Sequence, residues 1–195
     1  MTSLTKKEKE ALIILFKDFT SFYSANSISK IMSISHVGAQ KIFKRLHSSN
    51  ILKFERIGKS IIYKLRLEDD YVCKLISFLL ADEANKHKRW MEEFNELYKE
   101  GRTIVIFGSV LKNYEKANDI DIMIIENKKD EKIRKIIDEK DKILSKKIHL
   151  IQITYPNLMG NIKKKNKTII DIIKNSIILY GQERYVNLMK NVTSI

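Results

Sequence analysis

The sequence predicts an α+β protein: an N-terminal unit of three short helices and a β-hairpin, a helical connector, and a C-terminal α/β unit with a small mixed sheet. Three observations predict it. Apolar residues recur at helical spacing through residues 5–48 and then alternate across 51–65 about a glycine. Two strongly apolar runs, 104–107 and 120–125, are separated by Gly108-Ser109 and a polar spacer, and the second is led in by Asp119. The charge also changes sign along the chain: residues 1–67 carry 13 Lys and Arg against 4 Asp and Glu, residues 68–100 carry 5 against 9, and residues 101–195 carry 19 against 11. These changes mark the expected domains, 1–67, 68–100 and 101–195. The net charge of +13 favours polyanionic partners, although charge alone does not separate nucleic acid from simple solubility.

Thr5 and Glu8 form a capping-box pattern, and Ala11, Leu12, Leu15, Phe16 and Phe19 follow at helical spacing, so the first helix is expected over 5–19. Ser27 is the expected cap of a short helix over 28–32. A turn at 33–35 leads to Ser35, which caps a third helix over 36–48 with Val37, Ile42, Phe43 and Leu46 available to the core. Strands over 51–56 and 60–65, joined at Ile57, Gly58 and Lys59, complete a hairpin with a basic turn. This order of elements resembles the winged helix-turn-helix domains of bacterial and archaeal transcription regulators. The resemblance implies double-stranded DNA as a partner, with the third helix in the major groove and the hairpin as a wing along the backbone or minor groove. It carries His36, Gln40, Lys41, Lys44 and Arg45 onto the recognition helix and Arg56, Lys59 and Lys64 onto the wing. Gln40 has the amide to read adenine, whereas the lysines and Arg45 suit phosphates.

Asp69 and Asp70 start a helix over 71–81, where Val72, Leu75, Ile76, Leu79 and Leu80 are too many for a solitary surface helix. Two uses remain open for it: dimerisation, giving a homodimer, or packing on the next domain. A second helix is expected over 82–100, with Trp90, Phe94 and Leu97 on one stripe and Trp90 as a core anchor.

In the C-terminal unit, successive strand residues face opposite ways, so Asp119 and Asp121 share a face while Ile120 turns inward. Two adjacent hard oxygen ligands suit magnesium, which takes its remaining ligands from water and substrate phosphates. Gly108 lets the backbone approach a phosphate, and Ser109 adds a hydroxyl. An amphipathic helix follows over 129–142, with Ile133, Ile136, Ile137 and Ile143 on its apolar face, then a strand over 147–154 ended by Pro156. The basic run 163–167 reads as a solvated loop, a helix begins at Thr168, and the apolar stretch 177–180 precedes a last helix over 182–190.

Phe107, Gly108, Ser109, the spacer 110–118, Asp119 and Asp121 together resemble the signature of the DNA polymerase beta-like nucleotidyltransferase superfamily, in particular its minimal nucleotidyltransferases. The ending of the apolar stretch in Leu179, Tyr180 and Gly181 is similar to that of prokaryotic proteins that fuse a winged helix to such a domain. The resemblance implies a magnesium ion on Asp119 and Asp121, and ATP or another nucleoside triphosphate against Gly108 and Ser109. Catalytically competent family members usually carry a third carboxylate on the next strand, and this chain has His149 there. A neutral imidazole is a poor magnesium ligand, though its pKa near 6.5 suits a general base. The expected function is a DNA-binding regulator whose nucleotidyltransferase-fold domain binds nucleotide and is impaired in catalysis. The alternative is an active magnesium-dependent nucleotidyltransferase modifying a protein or RNA, for example the antitoxin of a toxin–antitoxin pair with the toxin as partner.

Other function classes are disfavoured. Cys73 is the single cysteine, so no internal disulfide can form. No apolar run reaches the roughly 18 residues of a membrane span, and the first residues lack a secretory apolar core, so a cytoplasmic protein with no membrane partner is expected.

Overall fold

The computed structural model describes residues 3–193; residues 1, 2, 194 and 195, which the expected domains 1–67 and 101–195 include, lie outside the described residues. The fold is α+β, and the chain divides into two compact units, Met1–Leu79 and Leu80–Ile195.

In the first unit, α1 (Lys6–Lys17) opens on a reciprocal capping box: the Thr5 hydroxyl accepts from Glu8 N–H, and the Glu8 carboxylate accepts from Thr5 N–H at 2.8 Å. Ala11, Leu12, Leu15 and Phe16 are buried, whereas Phe19 lies past the helix end and is half-buried. The second helix, α2 (Ala25–Ile31), starts earlier than expected because Ser24 is its cap. Ser27, the expected cap, is the third residue of the helix and bonds back to Ser24. Ser35 caps α3 (His36–Ser48), which buries Ala39, Phe43 and Leu46. Val37, expected in the core, is 58% exposed. One position from Gly38 and two from Ala39, it falls on the outward face that a helix of 3.6 residues per turn must present.

The hairpin β1 (Leu52–Ile57) and β2 (Ser60–Leu65) pairs Ile57 with Ser60, so only Gly58 and Lys59 form the turn. Gly58 has φ +59, the conformation a two-residue hairpin loop needs. The Tyr63 ring packs tilted against Phe43 with ring centroids 4.5 Å apart, and the Tyr63 backbone bridges to Tyr23, which fastens the hairpin to the helices. Three helices and a two-stranded wing give the winged helix-turn-helix arrangement.

The helix α4 (Asp70–Ala84) runs past its expected end and crosses the division between the units. The expected helix over 82–100 is broken. A 3-10 turn (Asn85–His87), α5 (Lys88–Glu93) and a second 3-10 turn (Asn95–Leu97) replace it, the interruption falling where His87 leaves helical backbone angles. The breaks do not displace the expected stripe, because Trp90, Phe94 and Leu97 are all buried.

The sheet of the second unit runs β5-β4-β3-β6. Strands β3 (Thr103–Phe107) and β4 (Asp119–Glu126) are antiparallel, β5 (Lys147–Thr154) lies parallel to β4, and β6 (Ile177–Tyr180) is antiparallel to β3. The three expected strands thus share one mixed sheet, and the stretch 177–180, left unassigned by the sequence pattern, is its fourth strand. The helix α6 (Lys132–Ile143) lies between β4 and β5 in the chain and buries Ile133 and Ile137. Ile143, expected on the same face, is 84% exposed at the helix end. Pro156 does end the strand, but as the start of α7 (Tyr155–Lys163), which Thr154 caps; α8 (Lys167–Lys174) then takes the end of the basic run, and α9 (Gln182–Thr193) closes the chain.

Alternation sorts β4 into two faces. Ile120, Ile122 and Ile124 join Trp90, Phe94, Leu97, Ile104, Ile106, Ile133, Ile137 and Ile148 in the core on the α5 and α6 side. Asp119, Asp121, Met123 and Ile125 therefore face the other side, where α7 packs on β4 and α9 on β3. Met123 and Ile125 are covered there, and the two aspartates lie at the strand start, where cover ends.

Candidate functional site

The register of β4 with its neighbours assembles the site. Asp121 pairs with Phe107 on one side and with His149 on the other, while Asp119 pairs with Lys147. Residues opposite one another point to the same face, so Asp119, Asp121, Lys147 and His149 share it. The ligand atoms of Asp119, Asp121 and His149 lie within 4.8 Å of one another, and His149 Nδ1 is 3.1 Å from Asp121 Oδ1. The Asp121 side chain is 17% exposed, that of His149 67%.

Gly108 closes the back of this group. Its φ is +84, and a Cβ there would run into the Asp121 carboxylate, so only glycine fits both the backbone angle and the space. Ser109 follows, exposed, in a 3-10 turn (Ser109–Leu111) in place of an α-helix start. Its hydroxyl remains available to a ligand, but the N–H array of a full helix is absent.

Electrostatics separate this end of the sheet from the other. Burial pushes the Asp121 carboxyl above its ordinary value, the Asp119 charge adds to the rise, and His149 opposes it. Among the described residues no Lys or Arg side chain pairs with Asp119 or Asp121. At the opposite end, buried Arg102 donates to Leu97 O at 2.8 Å and pairs with Glu126 at 3.1 Å and Asp130 at 3.2 Å. Gln152, the other polar side chain on β5 near the expected third acid, donates to Glu126 and to Asp130 O, so it belongs to that network and not to the aspartates.

The donor set answers how well a metal fits. Two carboxylate oxygens suit a hard divalent ion such as magnesium, while the imidazole suits a softer one. The residues that sequence reasoning missed lie around the spacer. Arg89 sits over the Tyr114 ring at 4.0 Å, Tyr114 OH bonds Ser145 Oγ at 2.9 Å, and Lys146 reaches Ala117 O and holds its Nζ 5.1 Å from the same ring. Nothing in the linear sequence joins Arg89 to this loop. Lys147 was findable, since it sits two residues before His149 on the same strand.

In the first unit, His36, Gln40, Lys41 and Lys44 are exposed on the outward face of α3, as are Arg56 and Lys59 on the wing. Arg45, also on that face, already has partners: its guanidinium pairs with Glu8 at 3.0 Å and donates to Ser3 O, and the Glu8 carboxylate is only 2% exposed. Lys64 likewise pairs with Glu55 at 2.8 Å. Arg45 thus serves buried Glu8, whereas the Lys64 pair lies at the surface.

Residues 87–180 match the family model of the nucleotidyltransferase domain. The matched stretch runs from the turn before α5 to the end of β6 and contains Gly108, Ser109, Asp119, Asp121 and His149. Solved structures of Lactococcus lactis ZitR are similar at a low level. One point mutant of ZitR matches at 17% identity with a TM-score of 0.35, covering 49% of this chain and 61% of that one. A different point mutant, solved in complex with DNA, matches at 19% identity with a TM-score of 0.34, covering 50% and 62%. The chain thus spans about three fifths of the ZitR chains, and a likeness of that size does not bear on function. No curated protein matches the chain.

Proposed function

We propose that the protein is a DNA-binding regulator whose nucleotidyltransferase domain binds a nucleoside triphosphate together with a divalent cation. The observation that carries the second half is the pair Asp119 and Asp121, side by side, backed by Gly108 and lacking any Lys or Arg partner among the described residues. Two carboxylates kept together without an internal cation repel one another and are best satisfied by an external one. The cation would sit on Asp119 and Asp121, neutralise triphosphate oxygens and hold them against Gly108 and Ser109. When bound, such an ion would supply the Lewis acidity that phosphoryl chemistry requires. The first half rests on the winged-helix arrangement and the exposed His36, Gln40, Lys41, Lys44, Arg56 and Lys59.

His149 decides between binding and turnover. Two-metal nucleotidyl transfer needs ligands for an ion at the attacking hydroxyl as well as at the phosphates, and the third acid that would serve is replaced. That supports a sensor of nucleotide with impaired catalysis. The second reading, an active transferase acting on a protein or RNA hydroxyl, is favoured by one observation: His149 Nδ1 stands 3.1 Å from Asp121, within reach of a group held by the same ion. Incubating the full-length protein with ATP labelled in its α-phosphate and magnesium separates the readings. Retention of unreacted ATP without label transfer supports the sensor; label on the protein, a co-purifying toxin or RNA supports the transferase; neither retention nor transfer overturns both. Gel shift of duplex DNA at low salt tests the regulator half, and no shift at any sequence would sink it.

A further inference from the structure

We infer that Asp119, Asp121 and His149 form a three-ligand site selecting a manganese, cobalt or zinc class ion over magnesium; this deepens the proposed reading of the same site and rests on it. The argument starts from spacing. Around an octahedral ion with bonds of about 2.1 Å, neighbouring ligands stand about 3 Å apart and opposite ones about 4.2 Å apart. His149 Nδ1 and Asp121 Oδ1, at 3.1 Å, have the spacing of neighbours, and the three ligand atoms lie within 4.8 Å of one another. Sharing one ion requires every pair of these atoms to stand within the opposite-ligand distance of about 4.2 Å, so any pair near the 4.8 Å bound has to draw together on binding.

The backbone enforces this company. The parallel register of β4 and β5 sets His149 opposite Asp121, and the absence of a Cβ at Gly108 leaves the Asp121 carboxylate its place. In the tautomer with its proton on Nε2, the Nδ1 lone pair faces the aspartates. The imidazole is mostly exposed, so its Nε2–H is satisfied by water.

Donor chemistry then sets the choice of ion. Magnesium prefers oxygen and gains little from an imidazole, so it is held by the two carboxylates alone. Manganese, cobalt and zinc accept nitrogen and oxygen together, and each gains the third ligand. Three protein ligands on one side leave the remaining positions to water and triphosphate oxygens. The replacement of the third carboxylate is therefore a change of preferred ion more than a simple loss.

The test uses full-length protein without nucleotide, titrated with manganese and followed by pulsed electron paramagnetic resonance. Nitrogen modulation from an imidazole on the bound ion is expected, and it should vanish in both His149→Gln and His149→Asp. His149→Gln should weaken manganese binding by about tenfold or more and lower it relative to magnesium binding, and His149→Asp should bring the two affinities together. Manganese bound without nitrogen modulation, or equal losses for both ions in His149→Gln, would overturn the inference. A parallel titration with ATP and magnesium keeps the two ideas apart: nucleotide binding without nitrogen modulation defeats this inference alone, and nitrogen modulation without nucleotide binding at any ion defeats the nucleotide reading alone.

Discussion

The two ends of the C-terminal sheet each gather acids, and they treat them in opposite ways. At the end where β3 begins, Glu126 and Asp130 surround Arg102, with Lys99 and Gln152 alongside, and the network is closed within the protein. The Asp130 carboxyl is held below its ordinary value, first by the Lys132 N–H and then by Lys99 and Arg102. At the end where β3 gives way to Gly108, the Asp121 carboxyl is held above it by burial and by Asp119. Acids at a strand end are thus not in themselves a site. The end whose acids pair with a buried Arg serves stability, and the end whose aspartates pair with no Lys or Arg among the described residues is poised for an external cation.

The comparison can be broken at several places. Gly108→Ala should have the largest effect, because the new Cβ meets the Asp121 carboxylate at a backbone angle that alanine avoids. Cation binding measured by calorimetry should disappear while circular dichroism stays close to that of the parent. Arg102→Ala should act in reverse. Leaving Glu126 and Asp130 without their buried partner should cost about 3–5 kcal/mol in urea unfolding, and any of the variant that remains folded should bind cation as the parent does. A loss of cation binding with unchanged stability would show that the ends have been assigned the wrong way round.

The first unit offers a gentler contrast, since its cationic face is dispersed. Lys41→Ala and Lys44→Ala should each lower the salt slope of DNA binding by about one per phosphate contact, uniformly across sequences. Gln40→Ala should alter sequence preference instead. Arg45→Ala should differ from both lysine changes by also lowering stability by about 1–3 kcal/mol, because it strips a partner from buried Glu8. The smallest effect concerns acid. Because the folded-state value of Asp130 is depressed, its contribution is present in full above the ordinary carboxylate range near 4 and is lost as pH falls through the folded value. Asp130→Asn should flatten that part of the acid-denaturation curve, and a curve overlaying the parent's would contradict it.

What the sequence made legible follows from which signals are local. Capping residues, the glycine of the hairpin and the alternation around Asp119 and Asp121 are written within a few positions, and the helices, wing and central strands follow from them. The Ser24 cap was missed because Ser27 offers the same chemistry three residues later and takes the reciprocal role in one box. Strand β6 was missed because four apolar residues before a glycine fit several structures, and only pairing with β3 selects one. The family resemblance put His149 in the place of the third carboxylate, but its pairing with Asp121 depends on a parallel register between strands separated by α6, which no local pattern sets. Arg89 beside Tyr114 is hidden for the same reason, and so is the use of Arg45 to hold Glu8.

The most direct measurement is calorimetric titration of ATP into the parent and into the Asp119→Asn/Asp121→Asn double variant, each with magnesium, with manganese and with neither. The substitutions keep side-chain size and remove the charge that, among the described residues, no Lys or Arg meets. Binding heat should appear in the parent only when an ion is present and be absent from the double variant under every condition. Equal heats for the two proteins would show that the aspartates are not a metal site.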